Sequence, residues 1–187
     1  MGIGTSKIFT SVPHKKLKKN VFDLTHEKKL STKMSKIIPI MCMDVVPGDK
    51  VSVKTNILLR FAPLIAPVMH RVNVFCHFFF VPNRILWPNW EKFITGGEDG
   101  QDATVWPHLE LQQVNNVKGQ LADFLGCPTA DDGSSNYTMQ VSALPFNGYQ
   151  KIIDEYYRDE NLQPSTYVPL VDGVNPNSGN TSIFRRA

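Results

Sequence analysis

"FCHFFFVPNRILWPNW" fills residues 75–90 and spends four phenylalanines, two tryptophans and two prolines in sixteen residues. Read backwards from Pro82, "VMHRVNVFCHFFFVP" (68–82) alternates. Val72, Val74, Cys76 and Phe78 share one side, and Asn73, Phe75, His77 and Phe79 the other. A period of two is the mark of a strand. Both sides turn apolar toward Pro82, which predicts a strand covered on both sides, as in a two-layer sandwich or barrel. Read forwards, Pro82 ends the ladder and "NRILWPNWEKFITGG" predicts short helical turns closed by Gly96-Gly97. Trp87, Trp90 and Phe93 recur every third residue and can share a face. Such rings pack on the core of their own chain or fill a neighbouring subunit.

Upstream, two more strands are expected. "KIIPIMCMDVV" (36–46) is a β-rich apolar run, and "PGD" (47–49) supplies a turn, with Pro fixing φ and Gly free to take positive φ. "KVSVKTNILLRF" (50–61) then places Val51, Val53, Thr55 and Ile57 on one face and Lys50, Ser52, Lys54 and Asn56 on the other. "APLIAP" (62–67) breaks the run. Downstream, residues 98–117 and 127–138 read as loop and 163–182 as turns, with a short helix over 118–126 stopped by Gly126. "LPFNGYQKIIDEYYRDENL" (144–162) is the best helix. Tyr149, Ile152, Ile153 and Tyr156 fall at i, i+3, i+4, i+7, and Pro145 suits its first turn.

The chain has 187 residues, enough for one domain with a sizeable core. No apolar run approaches the ~20 residues of a membrane helix, and the first twenty residues contain no signal-peptide core. Met1-Gly2 with Ser6 fits the loose myristoylation pattern, which chance alone often produces. Cys42, Cys76 and Cys127 are odd in number and widely spaced, which predicts buried free thiols in a reducing compartment.

The net charge of +3 hides an asymmetry. Residues 1–36 carry nine lysines against Asp23 and Glu27, a net of +7, whereas residues 37–187 carry a net of −4. The arm is either a solvated terminus or a flexible contact for polyanion. Lysines alone would grip phosphate without reading sequence. Val21, Phe22, Leu24 and Leu30 are spaced anchors that could dock it. Three strands leave open edges, so the sequence reads as the front of something larger.

Taken together, "NVFDLTHEKKLST", "IIPIMCMDVVPGDKVSVKT", "APLIAPVMHRVNVFCHFFFVPNRILWPNWEKFITGG" and "LPFNGYQKIIDEYYRDENLQ" resemble the N-terminal part of the major capsid protein of gokushoviruses and related Microviridae. They stand in the family's order and cover about half of the chain. Val46 replaces the usual Leu before Pro-Gly-Asp, and Tyr156 the usual Trp. Family members are several times longer, and "IFRRA" falls where their chain heads into further strands.

The resemblance implies a mainly β protein, a viral jelly roll (an eight-stranded antiparallel β-barrel) with long helical and loop insertions, incomplete here. It divides the chain into a basic arm (1–36), first jelly-roll strands (37–82), and short helices and insertion loops (83–187). It implies a T=1 icosahedral shell of identical copies around a circular single-stranded DNA phage genome. The subunit would be made in the bacterial host cytoplasm and reside in the virion. Its implied partners are a small DNA-binding or packaging protein, a pilot protein and a host surface receptor, without membrane insertion.

Lys15, Lys16, Lys18 and Lys19 are the candidate DNA contacts. Phe22, Trp87, Trp90 and Phe93 are the candidates for core or subunit packing. Asp23, His26, Arg84 and Arg158, polar residues inside the matched motifs, are expected to fix the arm and the helix through buried hydrogen bonds or ion pairs, since buried charge is costly unless paired.

A plain nucleic-acid-binding module would use the same arm but leaves the aromatic strand unexplained, and no RNP, KH or C₂H₂ pattern is present. An enzyme is not expected. Asp154 and Arg158 are an i,i+4 pair of the kind found on solvated helix faces, and His70 and His77 point to opposite sides of a strand. No nucleophile elbow, P-loop or metalloprotease motif occurs. No cofactor or metal is expected either. Asp99-Gly100 and Asp131-Asp132-Gly133 resemble parts of a calcium loop but lack the bidentate Glu.

Overall fold

The computed structural model describes residues 18–112, 118–129 and 138–175. Lys15, Lys16, Asp131-Asp132-Gly133 and the terminal "IFRRA" lie outside them. The buried core is gathered within residues 83–175, the part expected to be insertions. Helix α1 (Asn83–Leu86) follows Pro82 directly, and α2 (Trp90–Thr95) ends at Gly96 in the left-handed region. The closing glycines are needed there. Gly96 and Gly97 have φ of 77° and 76°, and a Cβ on Gly96 would sit 3.1 Å from the backbone of Gly100.

Two strands follow that sequence reading did not find, the first inside a stretch read as loop and the second in residues left unassigned but for Thr138. Strand β1 (His108–Gln112) pairs antiparallel with β2 (Thr138–Ser142), Leu109 opposite Val141 and Leu111 opposite Met139. Those four side chains form the inner face, and Glu110 and Gln140 the outer one. The alternations "HLELQ" and "TMQVS" were the available signal, five residues each. The chain later returns alongside β1. His108 N–H donates to Gly173 O at 2.9 Å and Asn175 N–H to His108 O at 3.0 Å, a parallel bridge. Asn175, itself buried, holds that return in shape by bonding the backbone of Val171 and Gly173.

Helix α3 (Leu121–Phe124) buries Leu121, Ala122 and Phe124 and is followed by Gly126 at positive φ, as expected. Helix α4 (Leu144–Ile152) carries Pro145 in its first turn and packs Phe146 and Tyr149 inward. Its continuation differs from expectation. Residues Ile153–Tyr157 form a π turn, closed by Arg158 N–H to Ile153 O at 2.8 Å. The wider turn shifts the phase of the helix face. Tyr157 therefore takes the inner position intended for Tyr156, which is 59% exposed.

Residues 37–81 show the largest difference. The turn at 46–49 forms, with Asp49 N–H donating to Val46 O at 3.1 Å and Gly48 at φ 94°. The three runs expected as strands, however, form no ladder with any described residue, and most of their apolar side chains are exposed. A strand is stable only when a neighbour satisfies its backbone groups and covers its side chains. The described residues provide no such neighbour. Likewise no barrel is present among them.

Leu121 is fully buried in the core around Trp87, Phe146 and Tyr149. Leu121→Ala should lower the unfolding free energy by about 2–5 kcal/mol, read as a fall in the urea midpoint with unchanged slope.

Candidate functional site

The aromatic exit from the third run packs into a cluster, as its spacing predicts. Trp87 is 1% exposed. Its ring centroid lies 6.2 Å from that of Trp90 and 5.3 Å from that of Phe93, and Trp90 and Phe93 are 6.1 Å apart. The spacing of three thus delivers one aromatic cluster, graded from the buried Trp87 through half-buried Trp90 to exposed Phe93. A buried indole N–H needs an acceptor. Asp172 supplies it, with Trp87 Nε1 donating to Oδ1 at 2.7 Å and Asn89 Nδ2 to Oδ2 at 2.8 Å. One carboxylate therefore ties the α1–α2 junction to the segment that returns beside β1. Neither Asn89 nor Asp172 was singled out in the sequence, because the partners lie more than eighty residues apart.

Just before this exit, the third run meets the π turn. His77 Nδ1 and Tyr157 Oη share a hydrogen bond at 2.8 Å, and their rings stack with planes 9° apart. Phe79 meets Tyr156 edge-on at 5.0 Å. Phe75, His77 and Phe79 are neighbours at i, i+2 spacing, with centroids 6.2–6.3 Å apart. That spacing is what an extended backbone gives to side chains on one side.

The polar candidates divide. Arg158 is mostly buried. Its Nε lies 2.9 Å from Asp154 Oδ1, and Nη1 donates to Gln163 O at 2.8 Å. The pair is thus no solvated surface contact, as its i,i+4 spacing had suggested. It is held by charge rather than by an aligned hydrogen bond, since neither Nε nor Oδ1 has such a partner. Asp23, His26 and Arg84 are exposed, contrary to expectation. Asp23 accepts from the hydroxyl and the backbone N–H of Thr25, and these bonds hold its carboxyl below the usual range. His26 bonds Leu24 O at 2.8 Å. Both contacts are local turns, which short polar side chains close without burial.

The described part of the arm lies largely open. Lys18 and Lys19 are exposed, and Phe22 is 78% exposed rather than packed. Two clips fasten the arm to the core module. Lys28 Nζ donates to Phe124 O at the end of α3, and Tyr149 Oη donates to Ile37 O at 2.7 Å. Of the thiols expected to be buried, Cys42 is exposed, and Cys76 and Cys127 are half-buried.

Apolar rows without cover call for a further surface to bury them, from the same subunit or from a neighbour. The match of residues 10–187 gives the family: the chain belongs to the family described as "Capsid protein (F protein)". It is 37% identical over 188 residues to the capsid protein VP1 of Chlamydia phage 1, covering 93% of this chain and 30% of that protein. It is 30% identical to capsid protein VP1 of Bdellovibrio phage phiMH2K (88% of this chain, 30% of the relative) and 30% identical to that of Spiroplasma virus 4 (85% and 28%). The resemblance to Microviridae capsid proteins is thereby shown. The chain spans about 30% of the length of these relatives. Among the described residues, no helix is long and apolar enough to cross a membrane.

Removing Arg158 alone would leave the Asp154 carboxylate buried without its counter-charge. Arg158→Ala should therefore cost about 3–5 kcal/mol, whereas Asp154→Leu combined with Arg158→Leu should cost much less. A denaturant double-mutant cycle measures the difference. Burial pushes the Cys127 thiol above its usual range. Its thiolate is therefore scarce at neutral pH, and its alkylation by iodoacetamide should be slow at pH 7 and rise about tenfold per pH unit toward alkaline pH, followed by peptide mass spectrometry.

Proposed function

We propose that this chain is part of the major capsid subunit of a small phage, and that copies of the subunit form a T=1 icosahedral shell around a circular single-stranded DNA genome. Membership of the capsid family over residues 10–187 carries this reading. In it, residues 37–82 are the first strands of an eight-stranded jelly roll, and the 83–175 module is an insertion that packs against them. The alternating sequence pattern along 50–61 and 68–82 and the exposed apolar side chains there support this assignment.

The basic arm (1–36) would lie on the DNA side, with Lys15, Lys16, Lys18 and Lys19 neutralising phosphate without reading sequence. The clips at Lys28 and Ile37 suit that role, since they fasten the base of the arm to the module and leave Lys18 and Lys19 exposed. The virion's small DNA-binding protein, its pilot protein and the host receptor are the further partners this reading carries. Family membership favours the shell over a free-standing nucleic-acid-binding module, and assigns the chain no catalytic work.

Native particles containing the chain should appear as uniform icosahedra by negative-stain electron microscopy, and a field of monomers would overturn the shell. Replacing Lys15, Lys16, Lys18 and Lys19 with Ala should lower the slope of log K against log salt for single-stranded DNA by about 3, at ~0.7 per phosphate contact. An unchanged slope would remove the arm from the DNA interface.

A further inference from the structure

The arm carries apolar side chains that the module does not take. Val21 is 98% exposed, Phe22 78% and Leu24 62%. Only at the base of the arm does Ile37 pack on the core, where Tyr149 also holds its carbonyl. Outside the Lys28 clip the described arm, residues 18–27, is exposed at every position. It nonetheless has a shape of its own. Asp23 accepts from the Thr25 hydroxyl and, at 3.0 Å, from the Thr25 N–H, and His26 Nδ1 bonds Leu24 O at 2.8 Å. A segment already held in a turn loses less entropy when it docks. The exposed rows along 50–61 and 68–82 alternate as strands do, and the proposed jelly roll gives them a cover. "NVFDLTH" (20–26) has no such alternation, so its three apolar side chains need a different one.

We propose that Val21, Phe22 and Leu24 dock on the body of a second copy of the capsid subunit, so that each arm ties two subunits together. The proposal rests on the capsid reading and deepens it by naming what the arm joins. Charge favours this occupant. Residues 1–36 carry a net of +7 and residues 37–187 a net of −4, so a cationic arm is drawn to the body of another copy. The body of the same chain has that charge too, yet it holds the arm at Lys28 and Ile37 and leaves the turn uncovered. The phosphates of a DNA strand match the lysines but give Val21 and Leu24 no apolar seat. The arm is thereby divided. Its turn serves the neighbouring subunit, and Lys15, Lys16, Lys18 and Lys19 are left for DNA.

The test uses the full-length subunit that contains this chain. A Phe22→p-benzoylphenylalanine variant places a photoreactive group on the turn. Assembled particles are irradiated, denatured and separated by mass. A product of twice the subunit mass is expected, with position 22 joined to a peptide outside residues 1–36 when the digest is read by mass spectrometry. A link that leaves the product at the mass of one subunit makes the subunit's own remainder the occupant, and a heavier product that nuclease returns to that mass makes it DNA. Either result overturns the proposal. Replacing Val21, Phe22 and Leu24 together by Ser should lower the yield of particles about tenfold or more, with the urea midpoint of the free subunit unchanged. Particles formed at normal yield by this variant overturn the arm contact while the capsid reading stands. Absence of particles from the unaltered subunit overturns the capsid reading and this proposal together.

Discussion

The hydrogen bond from the Trp87 indole to Asp172 holds the described module together. Trp87 sits where α1 ends, in contact with Trp90 and Phe93 of α2, and it is among the most buried large side chains. Its ring brings dispersion and desolvation, but its N–H would cost about 1–3 kcal/mol if left without an acceptor in the core. Asp172 removes that cost and takes Asn89 as well. The same carboxylate draws in the returning segment, whose backbone then bonds Leu86, Val105 and His108 in turn. Strand β1 thus gains a second neighbour beyond β2. A two-stranded sheet alone is marginal, so the return at 170–175 matters out of proportion to its length.

Helix α4 joins this module to the runs before it. Tyr149 reaches back to Ile37, and the π turn brings Tyr157 rather than Tyr156 toward the core. The turn also leaves the two tyrosine rings at 4.9 Å and nearly perpendicular, so that both can meet His77 and Phe79. The Asp154–Arg158 contact closes the end of the helix, and Gln163 accepts from the same guanidinium. An ion pair so placed contributes little net stability but is expensive to break, which makes it a means of fixing where the helix stops.

Residues 37–81 follow the opposite rule. Their side chains have the pattern of strands, yet their exposed apolar rows are stabilised by little within the described residues. A capsid subunit resolves this by burying such rows within itself or against its neighbours. Family membership and the 30% span of the relatives are consistent with the first solution. The basic arm is separate in character, since in the proposed DNA contact its outer lysines would act through long-range charge, which needs no fixed geometry.

Sequence alone determined what depends on local order and short spacing. The Pro-Gly-Asp turn, the helical turn after Pro82, the aromatic cluster at spacings of three and the glycine closure of α2 were all legible, because neighbouring residues suffice to dictate them. The family was legible as well, through several motifs in one order. Strands β1 and β2 were missed because five alternating residues look like loop until a partner strand is known. The exposure of Asp23, His26 and Arg84, the burial of Asp154 with Arg158, and the pairing of Trp87 with Asp172 depend on what lies across space. Only the tertiary structure decided them, because whether a polar group is solvated, paired or costly is set by neighbours that the chain brings up from far away.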